Sequence, residues 1–117
     1  NISVFNHGAM RRDFTYIDDI VSGIRSSMDK NYKCEIFNLG NNKVEELMDV
    51  VSYLETNLGH KAKIDFLPMQ PGDIEESHAD INKSKKMLGF EPKINVIDGI
   101  KFFTDWYKKY NSKVKRT

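Results

Sequence analysis

The sequence predicts a small α/β domain, on three observations. Short apolar runs of period two alternate with longer runs of period 3.6, and glycines close several of those runs. The 117 residues, 39% hydrophobic and 30% charged, suffice for one compact core and argue against disorder. The element order is strand, strand, helix, strand, helix, strand, loop, helix, helix. Only three or four segments read as strands. The expectation is therefore a few-stranded sheet covered by helices, short of a complete doubly wound sheet.

Residues 2–5 read as a strand, and Asn6-His7-Gly8 as a turn in which Gly8 can take positive φ. Residues 12–17 alternate, with Phe14 and Tyr16 on one side and Asp13, Thr15 and Ile17 on the other. This second strand is expected to fold back on the first as a hairpin. At Asp18-Asp19 the period changes. Ile17, Ile20, Val21, Ile24 and Met28 share one helical face, so a buried helix over residues 19–28 is expected, with Asp18 or Asp19 as its N-cap. Residues 34–39 are an apolar run closed by Gly40-Asn41-Asn42 and read as a buried strand. Val44, Leu47, Met48, Val51, Leu54 and Leu58 make an amphipathic helix, stopped by Gly59. Ile64 and Phe66 lie on one side of a strand over residues 62–67. Pro68-Met69-Gln70-Pro71-Gly72-Asp73 must be an ordered loop. A short helix follows, capped at Asp80 and ended by Gly89. The last helix aligns Val96, Ile100, Phe103, Tyr107 and Tyr110, with Ile97 and Trp106 alongside. The domain is expected to occupy residues 1–111, and residues 112–117 to form a basic, disordered tail.

Composition narrows the function. A formal net charge of +1 gives no electrostatic reason to expect nucleic acid, and no apolar run reaches membrane-spanning length. The single cysteine, Cys34, allows neither an intrachain disulfide nor a cysteine-based zinc site and fits a reducing, cytoplasmic setting. The chain opens on Asn1, inside what reads as a strand, as a piece of a longer protein would.

Candidates for chemistry are sparse. His7 and His60 fall in turns; His78, beyond the Pro-Gly loop, has no partner at metal-ligand spacing. Asp18-Asp19 fit helix capping better than acid–base work, Glu45-Glu46 and Glu75-Glu76 read as exposed charge, and Cys34 as an inert residue of a buried strand. Gly40-Asn41-Asn42 lacks the further glycines of a dinucleotide-binding loop. Two features remain. Arg11-Arg12, fixed on a strand, can offer a fork of donors to an anion, or can pair with Asp13 or Asp19 at the surface. The loop around Gln70-Pro71-Gly72-Asp73 can aim an amide and a carboxylate at ribose or sugar hydroxyls, or can simply be a well-made turn.

Taken in order, these segments resemble the C-terminal part of sugar-nucleotide epimerases and dehydratases of the extended short-chain dehydrogenase/reductase family. Arg12-Asp13-Phe14-Thr15-Tyr16-Ile17-Asp18-Asp19 is similar to that family's Arg-Asp-Phe-x-Tyr/His-Val-x-Asp motif. Asn38-Leu39-Gly40 resembles its Asn-Leu/Ile-Gly element. Pro71-Gly72-Asp73, Ala79-Asp80, Lys83 and Leu88-Gly89-Phe90 resemble its Pro-Gly-Asp to Leu-Gly-Phe/Tyr block. The wording is most similar to UDP-glucuronate 4-epimerases and capsular polysaccharide epimerases. The resemblance implies a substrate-binding lobe for a UDP-sugar, with Arg12 at the diphosphate, Phe14 lining the nucleotide site, and Gln70 and Asp73 on the ribose and phosphate side. Many relatives carry Arg where Gln70 stands.

It also implies an N-terminal Rossmann domain that binds NAD, a homodimeric parent, and an epimerase acting in capsule or polysaccharide precursor synthesis. Neither the family's glycine-rich loop nor its Tyr-x-x-x-Lys pair occurs in these 117 residues, so this chain alone is expected to be inactive. Ser77-His78 stands where relatives carry Thr/Ser-Tyr. Alternatives of the same lineage are a 4,6-dehydratase, a decarboxylase, or a non-catalytic nucleotide-sugar-binding relative.

Overall fold

A computed structural model describes residues 1–114. The chain is α/β, as the patterns require, but its strands form two small sheets. β1 (Ile2–Val4) pairs in parallel with β4 (Ile64–Phe66). β2 (Arg11–Arg12) lies between β3 (Glu45–Glu46), antiparallel, and β5 (Glu76–Ser77), parallel. Four helices follow the chain: α1 (Ile17–Lys30), α2 (Leu47–Leu58), α3 (Asn82–Leu88) and α4 (Val96–Val114). α2 packs on α4 and α1 on α3. Among the described residues, no helix is long and apolar enough to cross a membrane.

The expected hairpin between residues 2–5 and 12–17 does not form. A 3₁₀ turn at Asn6–Gly8, with Asn6 and His7 at φ 49° and 50°, redirects the chain, and both flanks of β2 are taken by β3 and β5. The second strand is also shorter than its alternation suggests. It ends at Arg12, and residues 13–16 run as extended chain into α1.

Tyr16, not Asp18 or Asp19, is the N-cap of α1; both aspartates lie in the first turn, where the helix dipole favours negative charge. The face expected to be buried is open. Ile17 is 59% exposed and Met28 72% exposed, with Val21 and Ile24 about half exposed; the residues that α1 buries are Asp19 and Gly23.

Residues 34–39 form no strand. No neighbouring strand lies alongside to accept their hydrogen bonds, so an apolar run with strand character stays an irregular segment. Cys34 is exposed rather than buried, and Ile36 is 82% exposed. Glu45, expected on the surface, is half-buried in β3, and α2 begins only at Leu47.

The helix stops behave as expected. Gly59 and Gly89 take φ 73° and 68°, and their amides bond back to Glu55 O and Lys85 O. Ile81 is the N-cap of α3, while the Asp80 carboxylate accepts the Asn82 amide at 2.9 Å. α4 buries Val96 and Thr104 but leaves Phe103, Trp106, Tyr107 and Tyr110 about half exposed. It runs through Ser112 to Val114, past the start expected for the tail; residues 115–117 of that tail lie outside the described residues.

The core is correspondingly small. Ile81, Leu88 and Phe90 form its centre, with Phe37, Leu39 and Ala79 packed against them. The molecule is open. Its radius of gyration is 17.0 Å, where a compact chain of this length has about 13 Å. Its surface is 8600 Å², where a compact monomer of this mass exposes about 6,600 Å².

Candidate functional site

The site is built around β2. Arg11 and Arg12 point to different partners because adjacent residues of a strand face opposite sides. Arg11 pairs with the two neighbouring strands, Nε with Glu46 at 3.0 Å and Nη1 with Glu76. Arg12 turns to the exit of the Pro-Gly loop. Its Nη2 donates to Asp73 Oδ1 at 3.1 Å and to Ile74 O at 2.6 Å, and its Nη1 donates to Glu75 O at 2.9 Å. Two residues 61 apart in sequence are thus joined. The surface pairings with Asp13 or Asp19 that spacing allows are not formed.

Those aspartates have other work. Asp13 Oδ1 accepts the Asn41 amide at 2.8 Å and the Thr15 hydroxyl at 3.2 Å. Its Oδ2 accepts the amides of Asn42 at 2.9 Å and Ala79 at 3.2 Å. One carboxylate therefore fastens the Gly40 turn and the start of the α3 segment to the chain after β2. The fit is close: a Cβ on Gly40 would lie 2.6 Å from Ala79 Cβ and 2.9 Å from Asp13 Oδ2. Asp19, buried at the start of α1, accepts the amides of Lys93 and Ile94, each at 3.0 Å. Both carboxylates accept backbone amides from segments distant in sequence, which gives each a structural role as an anchor. The sequence reading did not find these anchors. The signal available was the bare amides of the Gly40-Asn41-Asn42 turn, which need an acceptor from elsewhere.

Phe14 lines a cavity of about 250 Å³ with Tyr16, Ile17, Val96, Ile100 and Phe103. Gly99 makes that approach possible, since a Cβ there would meet the Tyr16 ring at 3.3 Å. Gln70 stands at the exposed start of the loop, and its carbonyl accepts the Asp73 amide at 3.2 Å to close the turn. The structure thus joins Arg12 to Asp73 directly, sets Phe14 two residues along in an apolar cleft, and leaves the Gln70 side chain in solvent. His78 lines a second cavity of about 410 Å³ with Asp13, Asn38 and Ser77. No group of three or more potential metal ligands occurs among the described residues. Among the described residues, the strand–turn–helix junctions carry no glycine-rich phosphate cradle.

No family model matches the chain. Similar proteins are nonetheless clear. An uncharacterised protein of Methanocaldococcus jannaschii is 48% identical over 106 residues, covering 91% of this chain and 32% of that protein. The UDP-glucuronate 4-epimerase of Thermodesulfobacterium geofontis is 39% identical over 109 residues, covering 92% of this chain and 33% of that enzyme. Among solved structures, the UDP-glucuronic acid 4-epimerase of Bacillus cereus, in complex with UDP-glucuronic acid and NAD, superposes with a TM-score of 0.79. It is 31% identical, over 92% of this chain and 35% of that one. The chain therefore spans about a third of the length of the relatives it matches. Its homologues include UDP-glucuronate 4-epimerases, and its fold matches the C-terminal portion of extended short-chain dehydrogenase/reductase epimerases.

Proposed function

We propose that this chain is the nucleotide-sugar lobe of an NAD-dependent UDP-sugar 4-epimerase of the UDP-glucuronate type, working in the cytoplasm on polysaccharide precursors. The observation that carries the reading is the junction of Arg12 with the Pro-Gly-Asp loop, with Phe14 two residues along lining an apolar cleft, in a fold shared with an epimerase solved in complex with UDP-glucuronic acid. A UDP-sugar presents a diphosphate, a ribose with two hydroxyls, and a flat base. Arg12 supplies a charge-assisted donor set for the diphosphate. Asp73 supplies an acceptor for ribose hydroxyls, and Gln70 an amide on the same side. Phe14 supplies an apolar wall for the nucleotide.

The redox step lies outside these residues. NAD would supply the hydride chemistry at C4 of the sugar. Its binding, and the general base for that step, would come from an N-terminal Rossmann domain. The open flank of the chain supports such a partner. The exposed apolar faces of α1 and α4 and the surplus of about 2,000 Å² over a compact monomer are on the scale of a large, permanent interface. The parent would be a homodimer, and this chain alone would show no epimerase activity. A 4,6-dehydratase or decarboxylase would use the same lobe.

The test is an amide-resolved titration of this chain with UDP, with NAD in parallel. The expected result is shifts at Arg12, Phe14 and the loop from Gln70 to Asp73 with UDP alone, lost in Arg12→Ala. Equal shifts with NAD, or an Arg12→Ala chain that binds UDP like the wild type, would retire the reading.

A further inference from the structure

A guanidinium carries five N–H donors, one on Nε and two on each terminal nitrogen. In Arg12, Nη1 donates to Arg11 O at 2.8 Å and Glu75 O at 2.9 Å. Nη2 donates to Ile74 O at 2.6 Å and Asp73 Oδ1 at 3.1 Å. Four of the five donors are engaged. Three of those acceptors are backbone carbonyls, and Glu75 O is held in addition by the Arg11 amide at 2.9 Å. The fourth is the Asp73 carboxylate, the anion of the set and the one acceptor carried on a side chain.

We infer that Asp73 occupies the place of a diphosphate oxygen on Arg12, and that a nucleoside diphosphate binds by displacing it. This rests on the reading of Arg12 as the diphosphate anchor. A phosphate oxygen approaching the outer edge of Arg12 meets one open donor, Nε–H. Both Nη2 hydrogens are taken, one by Ile74 O and one by Asp73 Oδ1, so a two-point contact through Nε and Nη2 needs one of these acceptors to leave, and Asp73 is the one carried on a side chain. Two anions at one guanidinium edge repel each other at short range, so the stronger and more highly charged acceptor takes the position.

Gly72, beside Asp73, sits at φ 83° with nothing within 4 Å of where a Cβ would be, so the turn is uncrowded at that position. The Arg12–Asp73 pair is partly exposed, 26% and 32%, so separating it leaves no charge stranded in the interior. The displaced carboxylate keeps the Ile74 amide, now at 2.8 Å from Oδ1, and gains a free edge for ribose hydroxyls. The same movement that admits the diphosphate would therefore release the acceptor that reads the sugar of the nucleotide. Gln70, whose carbonyl closes the turn onto the Asp73 amide, would move with it.

The experiment titrates inorganic pyrophosphate, which has no ribose, into the wild-type chain, Asp73→Asn and Arg12→Ala, each followed by amide NMR. Pyrophosphate is expected to shift the Ile74 amide of the wild type. Asp73→Asn should bind it about fivefold more tightly, the equivalent of a partly exposed ion pair worth about 1 kcal/mol no longer competing. Arg12→Ala should lose binding. If Asp73→Asn binds no more tightly while Arg12→Ala still abolishes binding, displacement is overturned and the anchor stands. If Arg12→Ala binds like the wild type, the anchor itself fails. Should Asp73→Asn not fold, an Ile74 amide unmoved at saturating pyrophosphate in the wild type overturns the displacement.

Discussion

Two regions of the molecule handle their side chains in opposite ways. Around β2, polar groups far apart in sequence meet and satisfy one another. Arg11 joins β3 to β5, Arg12 holds the loop exit, and Asp13 gathers amides from the Gly40 turn and Ala79. Along the outer faces of α1 and α4 and over residues 34–39, apolar side chains stand in solvent, from Ile17 to Met28, at Ile36, and from Phe103 to Tyr110. The first region is complete within the chain. The second has the composition of an interior without its neighbours. A chain can hold a well-ordered polar knot while most of its apolar pattern lies outside the contacts the knot supplies.

The largest break in that contrast should come at Asp13. Asp13→Ala strands the partly buried amides of Asn41 and Ala79 and releases the exposed Asn42 amide to water. The expected loss is roughly 3 kcal/mol of unfolding free energy, measured by denaturant titration. A loss under about 1 kcal/mol would mean water replaces the carboxylate and the knot is not the stabilising centre. Next comes a pair of glycines. Gly40→Ala drives a methyl to 2.6 Å from Ala79 Cβ, an atom that cannot rotate away. It should cost about 2 kcal/mol. Gly23→Ala meets the Leu39 methyls at 2.6 and 2.7 Å and the buried Phe90 ring at 3.1 Å, but the two shortest contacts are the ends of a rotatable side chain at the edge of the core. There the helix-forming gain of alanine, about 1 kcal/mol, should offset part of the crowding and leave a smaller cost than at Gly40. Equal costs at the two glycines would erase the difference between the regions.

Glu55 lies between these extremes. Its carboxylate accepts the Ala62 amide at 2.8 Å and pairs with Lys61, tying the end of α2 to the approach to β4. The Lys61 hydrogen bond and then the Ala62 amide hold its pKa below the ordinary 4.5. A group depressed in the folded state adds stability above its unfolded value and loses it as pH falls through the folded one. Glu55→Gln should therefore lower stability slightly at neutral pH and flatten the acid limb, so that the two proteins converge as pH falls below 4.5. An acid limb identical in both proteins would remove Glu55 from the account.

What the sequence made legible follows from how local each cause is. Gly59 and Gly89 end helices because a left-handed residue needs only its own backbone. The segment from Pro68 to Asp73 had to be a loop for the same reason. Arg12 and Asp73 could each be picked out by chemistry, but their meeting depends on β5 lying beside β2, a pairing of two residues that no period reveals. Asp18 and Asp19 looked like caps, since acidic residues at the head of a helix usually are. The buried one instead binds a connector some 74 residues away. The strand expected over residues 34–39 does not form because an apolar run reports that a segment is suited to a sheet, while a strand exists only where a neighbour takes its hydrogen bonds.

The smallest effect should be found on the open flank, and its smallness is what makes it informative. Met28→Lys and Ile36→Ser replace side chains that are 72% and 82% exposed. Within the chain they lose almost no buried area, so unfolding free energy should stay within about 0.5 kcal/mol of the wild type. Association should change instead. Apolar faces of this extent favour contact with whatever is available, including other copies of the chain. Sedimentation velocity should show the wild type self-associating with concentration and the double variant remaining monomeric. A destabilisation near that of Gly40→Ala would mean that these residues pack inside the chain in solution. A wild type that stays monomeric at high concentration would mean that the flank is tolerated by water as it stands, and the contrast between the two regions would then be one of composition alone.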